Sequence, residues 1–442
     1  MRTNRLRSHQ YWILYGILTV AVLSGLAQSE PGNSPEFYTG HPQLEEYVRT
    51  ALTENPELHA SFSRYRASLQ RIPQVKALPD PTLTFTQFLR SPETRVGPQS
   101  NITMISQRFP WFGKLDLKAQ IALRESSAMF QMYEAQERQV IAEVKRAFYE
   151  LGYVDQTLDI LREEELLLSH YETLAQARYS QGSGMQQGVI KIQAEITQVI
   201  NRVNLLNQQR ETMVARLNTL MDRPPEQAIP SVRGIDLPEV RLDLDVLYEL
   251  GEKNRQELKA SLARIEKSER SVELAKKDYW PDLTVGASLI NVEDREDLAG
   301  ILMPPPDNGK NAFSFTVGVN IPIWRDKYRA GVIQATEEGI AERRGYSRIL
   351  NEMEFSIRDQ VVRMQTLVEQ IELYDRVLLV QAEEALRSTE AGYETGQLSI
   401  LELLDSERFL LRTRLLRERY RTDYMRALAD LERAVGTKFP VS

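Results

Sequence analysis

The stretch Tyr393–Leu411, YETGQLSILELLDSERFLL, reads as a hairpin tip between two long helices. Gly396 supplies the left-handed residue that ends the first helix. Leu401, Leu404, Leu411 and Leu415 mark the apolar stripe of the second. Glu402 and Asp405 stand three apart, so on a helix their carboxylates share a face. An earlier stretch, Tyr179-Ser180-Gln181-Gly182, punctuates the first half of the chain in the same way. A solvated turn between packed helices accounts for the glycine and the leucines, but not for the recurrence.

The recurrence extends well beyond the tips. Glu57-Leu58-His59-Ala60-Ser61 returns as Glu257-Leu258-Lys259-Ala260-Ser261. Arg64, Ser68, Lys76, Pro81 and Leu83 match Arg264, Ser268, Lys276, Pro281 and Leu283 in the same register. Phe109-Pro110-Trp111-Phe112 resembles Ile321-Pro322-Ile323-Trp324, and the drifting offset places insertions in the second copy. Each copy begins with a helix, about Pro56 to Leu78 and about Gln256 to Tyr279, and a proline then ends it. Alternating stretches follow. Leu83 and Phe85 with Ile102 and Met104 mark one pair of strands. Leu283, Val285, Ala287 and Leu289 with Phe313, Phe315, Val317, Val319 and Ile321 mark the other. Arg90–Ser100 and Glu293–Ala312 are the turn-rich loops between paired strands.

After each strand pair comes a helix of unusual length. Lys114 to Arg178 contains no proline. Val140, Val144, Ala147, Leu151, Val154, Leu158 and Leu161 alternate spacings of four and three; Ile357, Val361, Met364, Val368 and Ile371 do the same. The return helix carries Val189, Ile192, Ile196, Val199, Val203 and Leu206, then Met213, Leu217 and Leu220. Sustained heptads mean long helices packed as coiled coils. The run Glu163-Glu164-Glu165 reads as a solvated face. Asp222–Asp243, rich in proline, reads as a connector that folds against the helices, with a flexible linker as the alternative.

Composition bounds the function. A formal net charge of −7 over 442 residues disfavours nucleic-acid partners. The absence of cysteine excludes disulfides, thiolate metal sites, cysteine nucleophiles and a lipidated N-terminal cysteine. His9, His41, His59 and His170 never reach ligand spacing, so no metal or other cofactor is expected. No nucleophile–base pair or phosphate loop is evident, which argues against an enzyme. Arg2, Arg5 and Arg7, the apolar core Trp12 to Leu23 and the small residues around Ala27 read as a secretory signal peptide. A retained anchor is the alternative, disfavoured because the run is short for a spanning helix.

An exported chain with no later spanning helix is either soluble or a membrane β-barrel. Four strands cannot close a barrel, and lipid does not tolerate open sheet edges, so several chains would have to contribute. Trp111, Trp280 and Trp324 lie beside the prolines where helix meets strand, which suits a membrane-interface belt. Aromatic packing that seals a strand–helix junction in a soluble protein is the alternative.

Taken together, the two copies of helix–strand–strand–long helix–return helix and the heptads resemble the TolC-like outer-membrane efflux proteins. Gln107-Arg108-Phe109-Pro110-Trp111-Phe112-Gly113-Lys114 resembles the strand-to-helix junction of their heavy-metal branch, the CusC- and CzcC-like proteins. Tyr393-Glu394-Thr395-Gly396 through Leu401-Glu402-Leu403-Leu404-Asp405 resembles the family's periplasmic tip. The resemblance implies an α+β membrane protein: a homotrimer with a twelve-stranded β-barrel in the outer membrane, continued by a twelve-helix α-barrel across the periplasm of a Gram-negative bacterium. It implies a passive exit duct for drugs or metal ions, docked to a periplasmic adaptor and an inner-membrane efflux pump. It also places Glu402 and Asp405 at the constriction of the closed aperture, where crowded carboxylates repel and some pKa values rise. Gly182, Gly184 and Gly396 would shape the hairpin tips; the first tip lacks the acid often found there. A soluble periplasmic coiled-coil adaptor or scaffold is the competing reading. The expected organisation is signal peptide 1–27, extended segment 28–43, first repeat 44–221, equatorial connector 222–243, second repeat 244–436 and tail 437–442.

Overall fold

The computed structural model describes residues 41–438, so the expected signal peptide lies outside the described residues. The chain runs α1 (Pro42–Glu54), α2 (Pro56–Lys76), β1 (Thr82–Gln87), β2 (Glu93–Thr94), β3 (Gly97–Phe109), α3 (Lys114–Ser180) and α4 (Gln186–Leu220). Then come α5 (Leu244–Asn254), α6 (Gln256–Lys277), β4 (Leu283–Val292), α7 (Leu298–Leu302), β5 (Ala312–Val319), α8 (Arg325–Leu373), α9 (Leu379–Glu394) and α10 (Ile400–Val435). A π-helical turn, Tyr374–Leu378, joins α8 to α9. Pro42 and Gln43 are therefore helical rather than extended.

Local chemistry sets the breaks. Pro56 disfavours helical backbone at Asn55, which turns extended and caps α2 by accepting from the amides of Glu57 and Leu58. Arg255, two hundred positions on, makes the same break between α5 and α6 with nearly the same backbone angles (φ −64°, ψ 120°). Without a proline inside it, α3 continues for 67 residues. At about 1.5 Å per residue that is a rod of about 100 Å.

The strands form one antiparallel sheet in the order β1–β3–β4–β5, and β2 pairs with the start of β3. Leu83, Ile105, Ala287 and Phe315 lie in one row across it; Phe85, Thr103, Leu289 and Phe313 lie in another. Directly paired residues share a face, so one face carries these apolar side chains together with Val285, Val317, Leu283, Val319 and Phe109. The opposite face carries Thr84, Met104, Ser288 and Ser314 in one row, and Thr82, Ser106, Gly286 and Thr316 in the next. Ile102 and Met104 thus stand on the polar face, with Thr86 and Thr84, and not with Leu83 and Phe85 as their spacing suggested. The partner in the apolar row is Ile105. Phe85, Phe313, Phe315, Val317 and Val319 are all exposed on a single chain. Among the described residues no helix is long and apolar enough to cross a membrane.

The helices form a second layer in the order α4–α3–α10–α8/α9, each packed on its neighbour. The α3 heptad is buried along its whole length, from Val140 to Leu161. On α8 a three-residue step from Met364 brings Leu367 into the seam, and Val368 faces outward. On α10 the seam is Leu403, Leu404, Leu410 and Leu411, while Leu401 is exposed. Glu164, in the run read as solvated, is buried. The segment between α4 and α5 packs on the helices: Val232 donates its amide to Asp155 Oδ2 at 2.9 Å, and Arg210 Nη2 donates to the Ile229 carbonyl at 3.0 Å.

Candidate functional site

Two of the places where the halves of the chain meet are the junction where sheet becomes helix and the paired hairpin tips.

The register Phe109–Leu283–Val319 puts Trp111, Trp280 and Trp324 at one end of the sheet. Trp111 and Trp280 stack, with ring centroids 5.1 Å apart and planes 10° from parallel. Trp324 is exposed where α8 begins. Beneath the stack lies a polar knot that the sequence reading missed. Asp282 accepts from Arg108 Nη2 at 2.5 Å, from Lys114 Nζ at 2.9 Å and from the Trp111 amide at 3.0 Å. Its own amide donates to the Asn320 side-chain oxygen. Lys114 also donates to the Trp280 carbonyl and pairs with Asp278. The side chains of Lys114 and Asp282 are both about nine-tenths buried. Burial alone would raise the Asp282 carboxyl; the bonds from Lys114, Trp111 and Arg108 overcome it and hold the group at about 2. The signal lay in the equivalent placement of Arg108 and Asn320. Both stand two positions before a proline, and both clasp Asp282.

Because Trp324 and Trp280 are exposed and Trp111 is covered by the stack, the three should respond differently to membrane quenchers. In vesicles of lipids brominated near the headgroup, we expect strong fluorescence quenching that falls by about half or more on Trp324→Phe, Trp280→Phe substitution. Quenching only by bromines deep in the acyl chains, or none, would exclude an interface position.

The tips share one C-cap. Gly182 (φ +74°) and Gly396 (φ +79°) take the left-handed conformation, as the sequence required of Gly396. The Gly182 amide bonds the Tyr179 carbonyl and the Ser183 amide bonds Arg178; Gly396 and Gln397 do the same to Tyr393 and Gly392. These are the paired bonds of a Schellman motif. Gly184 has no left-handed backbone; a Cβ there would come within 3.0 Å of the Tyr179 backbone nitrogen. The tips lean on each other through Arg178. Its guanidinium lies 4.4 Å from the centre of the Tyr393 ring and donates to the Glu394 carbonyl at 2.7 Å.

The N-caps differ. Ser399 and Glu402 form a capping box at the start of α10, in which the Ser399 amide donates to Glu402 Oε2 at 2.7 Å. The backbone and side-chain bonds from Ser399 hold the Glu402 carboxyl of the single chain below the usual glutamate range. Asp405 is 77% exposed at its side chain and only 3.6 Å from Arg408 Nη1, a long, weak pair. Both acids therefore stand on the exposed surface of α10 just above the second tip. At the first tip Met185 occupies the N-cap position without a side-chain bond.

Comparison with known proteins matches this architecture. Residues 47–222 and 247–437 match the family model for outer membrane efflux proteins. Nodulation protein T of Rhizobium leguminosarum bv. trifolii is 21% identical over 415 residues, covering 90% of this chain and 86% of that protein. Among solved structures, a membrane protein from Pseudomonas aeruginosa superposes with a TM-score of 0.76 at 18% identity, covering 92% of this chain and 97% of that one. The outer membrane protein VceC of Vibrio cholerae gives 0.73 at 17%, covering 90% and 97%. The chain belongs to the outer membrane efflux protein family and resides in the outer membrane.

Proposed function

We propose that three copies of the chain close their sheets into a twelve-stranded β-barrel, continued by a twelve-helix α-barrel, and that the tube is the passive exit duct of a tripartite efflux system. Each chain would contribute two structural repeats, 44–221 and 244–436. A periplasmic adaptor and an inner-membrane pump would deliver the cargo, drugs or metal ions, and the duct itself would need no cofactor.

One observation carries this reading: the sheet exposes a continuous apolar face and leaves both β1 and β5 with an unpaired edge. In lipid such edges must pair. With four alternating strands, β5 of one chain meets β1 of the next in antiparallel sense, as up-and-down closure requires. The helical layer has the same incompleteness. Ile333, Ile340, Phe355 and Val362 form an exposed stripe on α8 at multiples of about seven residues, and α4 exposes Ile190, Ile200 and Leu205 on the other flank. These are the seams a neighbouring copy would cover. Two or four copies would also pair the edges; three is what the resemblance to TolC-like proteins implies. A soluble scaffold would leave the same apolar face in water.

Extracted in detergent, the mature protein should have the mass of a trimer by light scattering corrected for bound detergent. A stable monomer would defeat the proposal, because one chain leaves two lipid-exposed sheet edges.

A further inference from the structure

Glu164 on α3 and Glu407 on α10 are 7% and 2% exposed; the two helices pack against each other, and the two carboxyls lie within hydrogen-bonding reach across them. They lie among Leu161, Leu168, Leu403, Leu404, Leu410 and Leu411. One carboxylate oxygen of each, Oε1, is fully buried with no hydrogen-bond partner. Two ionised carboxylates in such a place would be strongly destabilising without a cation.

Two of the nearby cations are engaged with other acids. Arg408 of α10 is paired with Glu195 of α4. Arg414 of α10 stands 3.8 Å from both Glu163 of α3 and Glu383 of α9. Arg202 of α4 favours the charged form of Glu407 but forms no ion pair with it. From α3 and α9 the facing groups are Tyr171 and Glu390, which bond to each other, so Glu390 adds negative charge and no counter-ion. Neither Glu164 nor Glu407 forms an ion pair among the described residues.

We propose that Glu164 and Glu407 share a single proton, which clamps the α3–α4 hairpin to the α9–α10 hairpin, and that losing it loosens the tip end of the molecule. An O–H···O⁻ bond between the carboxyls leaves one negative charge where two would otherwise face each other. Burial, before any other influence, pushes both carboxyls above the usual glutamate range. The sign follows. The folded protein holds a proton that the unfolded chain releases near the ordinary glutamate pKa. The clamp is thus fully present below that value and is lost as pH rises through the raised folded value. Other contacts between the hairpins, Arg178 on Tyr393 and Arg408 on Glu195, do not involve this proton and hold the tips in register.

The clamp depends on the channel reading only in what loosening would do to an opening, and its test is independent of conduction. Infrared spectra of the detergent-solubilised protein at pH 7 should contain the C=O stretch of a protonated, buried carboxyl. That band should persist above neutral pH and then disappear, and should be absent at pH 7 from the Glu164→Gln, Glu407→Gln double variant. In parallel, the Tm of the wild type should fall by several degrees as pH is raised through the disappearance of the band. The Tm of the double variant, in which both positions are neutral at every pH, should lose most of that fall. A wild-type spectrum without the band at pH 7 overturns the proposal even if the double variant does not fold. So does a band that survives in the double variant, or an alkaline fall in Tm that the double variant leaves unchanged. Failure to conduct ions would count against the channel and leave these results standing.

Discussion

Asp282→Ala should destabilise the protein by about 3–5 kcal/mol, the cost of stranding a buried ammonium without its carboxylate. Lys114 loses its 2.9 Å partner, and its other acid, Asp278, lies farther away at 3.4 Å on a half-exposed side chain. The Trp111 amide and the Arg108 guanidinium lose their acceptor in the same stroke. Asp282→Asn keeps an acceptor but not the charge, so its loss should be smaller. Asp282→Ala combined with Lys114→Met should recover part of the stability, because no charge is then left unpaired. Thermal unfolding of the purified protein, with the fraction recovered in outer membranes, measures all three. A single Asp282→Ala variant within about 0.5 kcal/mol of wild type would show that the knot does not hold sheet to helix. The pH dependence has the opposite sign from that of the buried glutamate pair. The folded carboxyl is depressed to about 2, so its contribution is complete above the unfolded value of about 3.9 and fades only as pH falls through about 2. The Asp282 carboxyl should therefore remain mostly ionised in the folded protein at pH 3, where a carboxyl of ordinary pKa is already mostly protonated.

The long helices were legible because a heptad sustained over many turns admits few other readings. From Val140 to Leu161 every named position is buried. The strands were legible as strands but not in register. In β3 the row that faces Leu83 and Phe85 holds Ile105 and Thr103, whereas the more apolar Ile102 and Met104 face the other way. A single strand shows its period and not which face it gives to its neighbour, and a bulge between Gln99 and Asn101 shifts the pairing further. The misreading of Glu164 was avoidable. Leu158, Leu161, Glu164, Leu168, Tyr171 and Ala175 step by threes and fours, so the glutamate stands in the seam. Leu404, Glu407 and Leu411 do the same on α10. Three acids in a row looked like a solvated face, but on a helix only one of three neighbours can share the seam's direction. The Asp282 knot was hidden for another reason: it gathers side chains up to 212 positions apart, and the matched placement of Arg108 and Asn320 before their prolines does not show that both meet Asp282.

The capping box changes how an aperture at the second tip has to be tested. If the tips converge in a trimer, Glu402 and Asp405 present three copies each around the opening, and acidic rings favour cations. Glu402→Ala would remove a charge and also dismantle the start of α10, since its carboxylate receives both the amide and the hydroxyl of Ser399. Glutamine serves the same capping position. Glu402→Gln with Asp405→Asn therefore removes six charges from a trimer and leaves the fold of the tip alone. In planar bilayers the wild type should be narrow, cation-selective and blocked by trivalent cations from the tip side. The double variant should lose both the cation preference and the block. Asp405→Asn alone should account for more of the change than Glu402→Gln alone. The Glu402 carboxylate is turned back onto Ser399, whereas Asp405 projects into solvent with only a distant arginine. Cleaving or mutating the Arg178–Tyr393 contact would be a poor substitute, because it moves both tips and alters width together with charge. Unchanged selectivity and block in a correctly inserted trimer of the double variant would remove both residues from the aperture and return them to the exposed surface of α10.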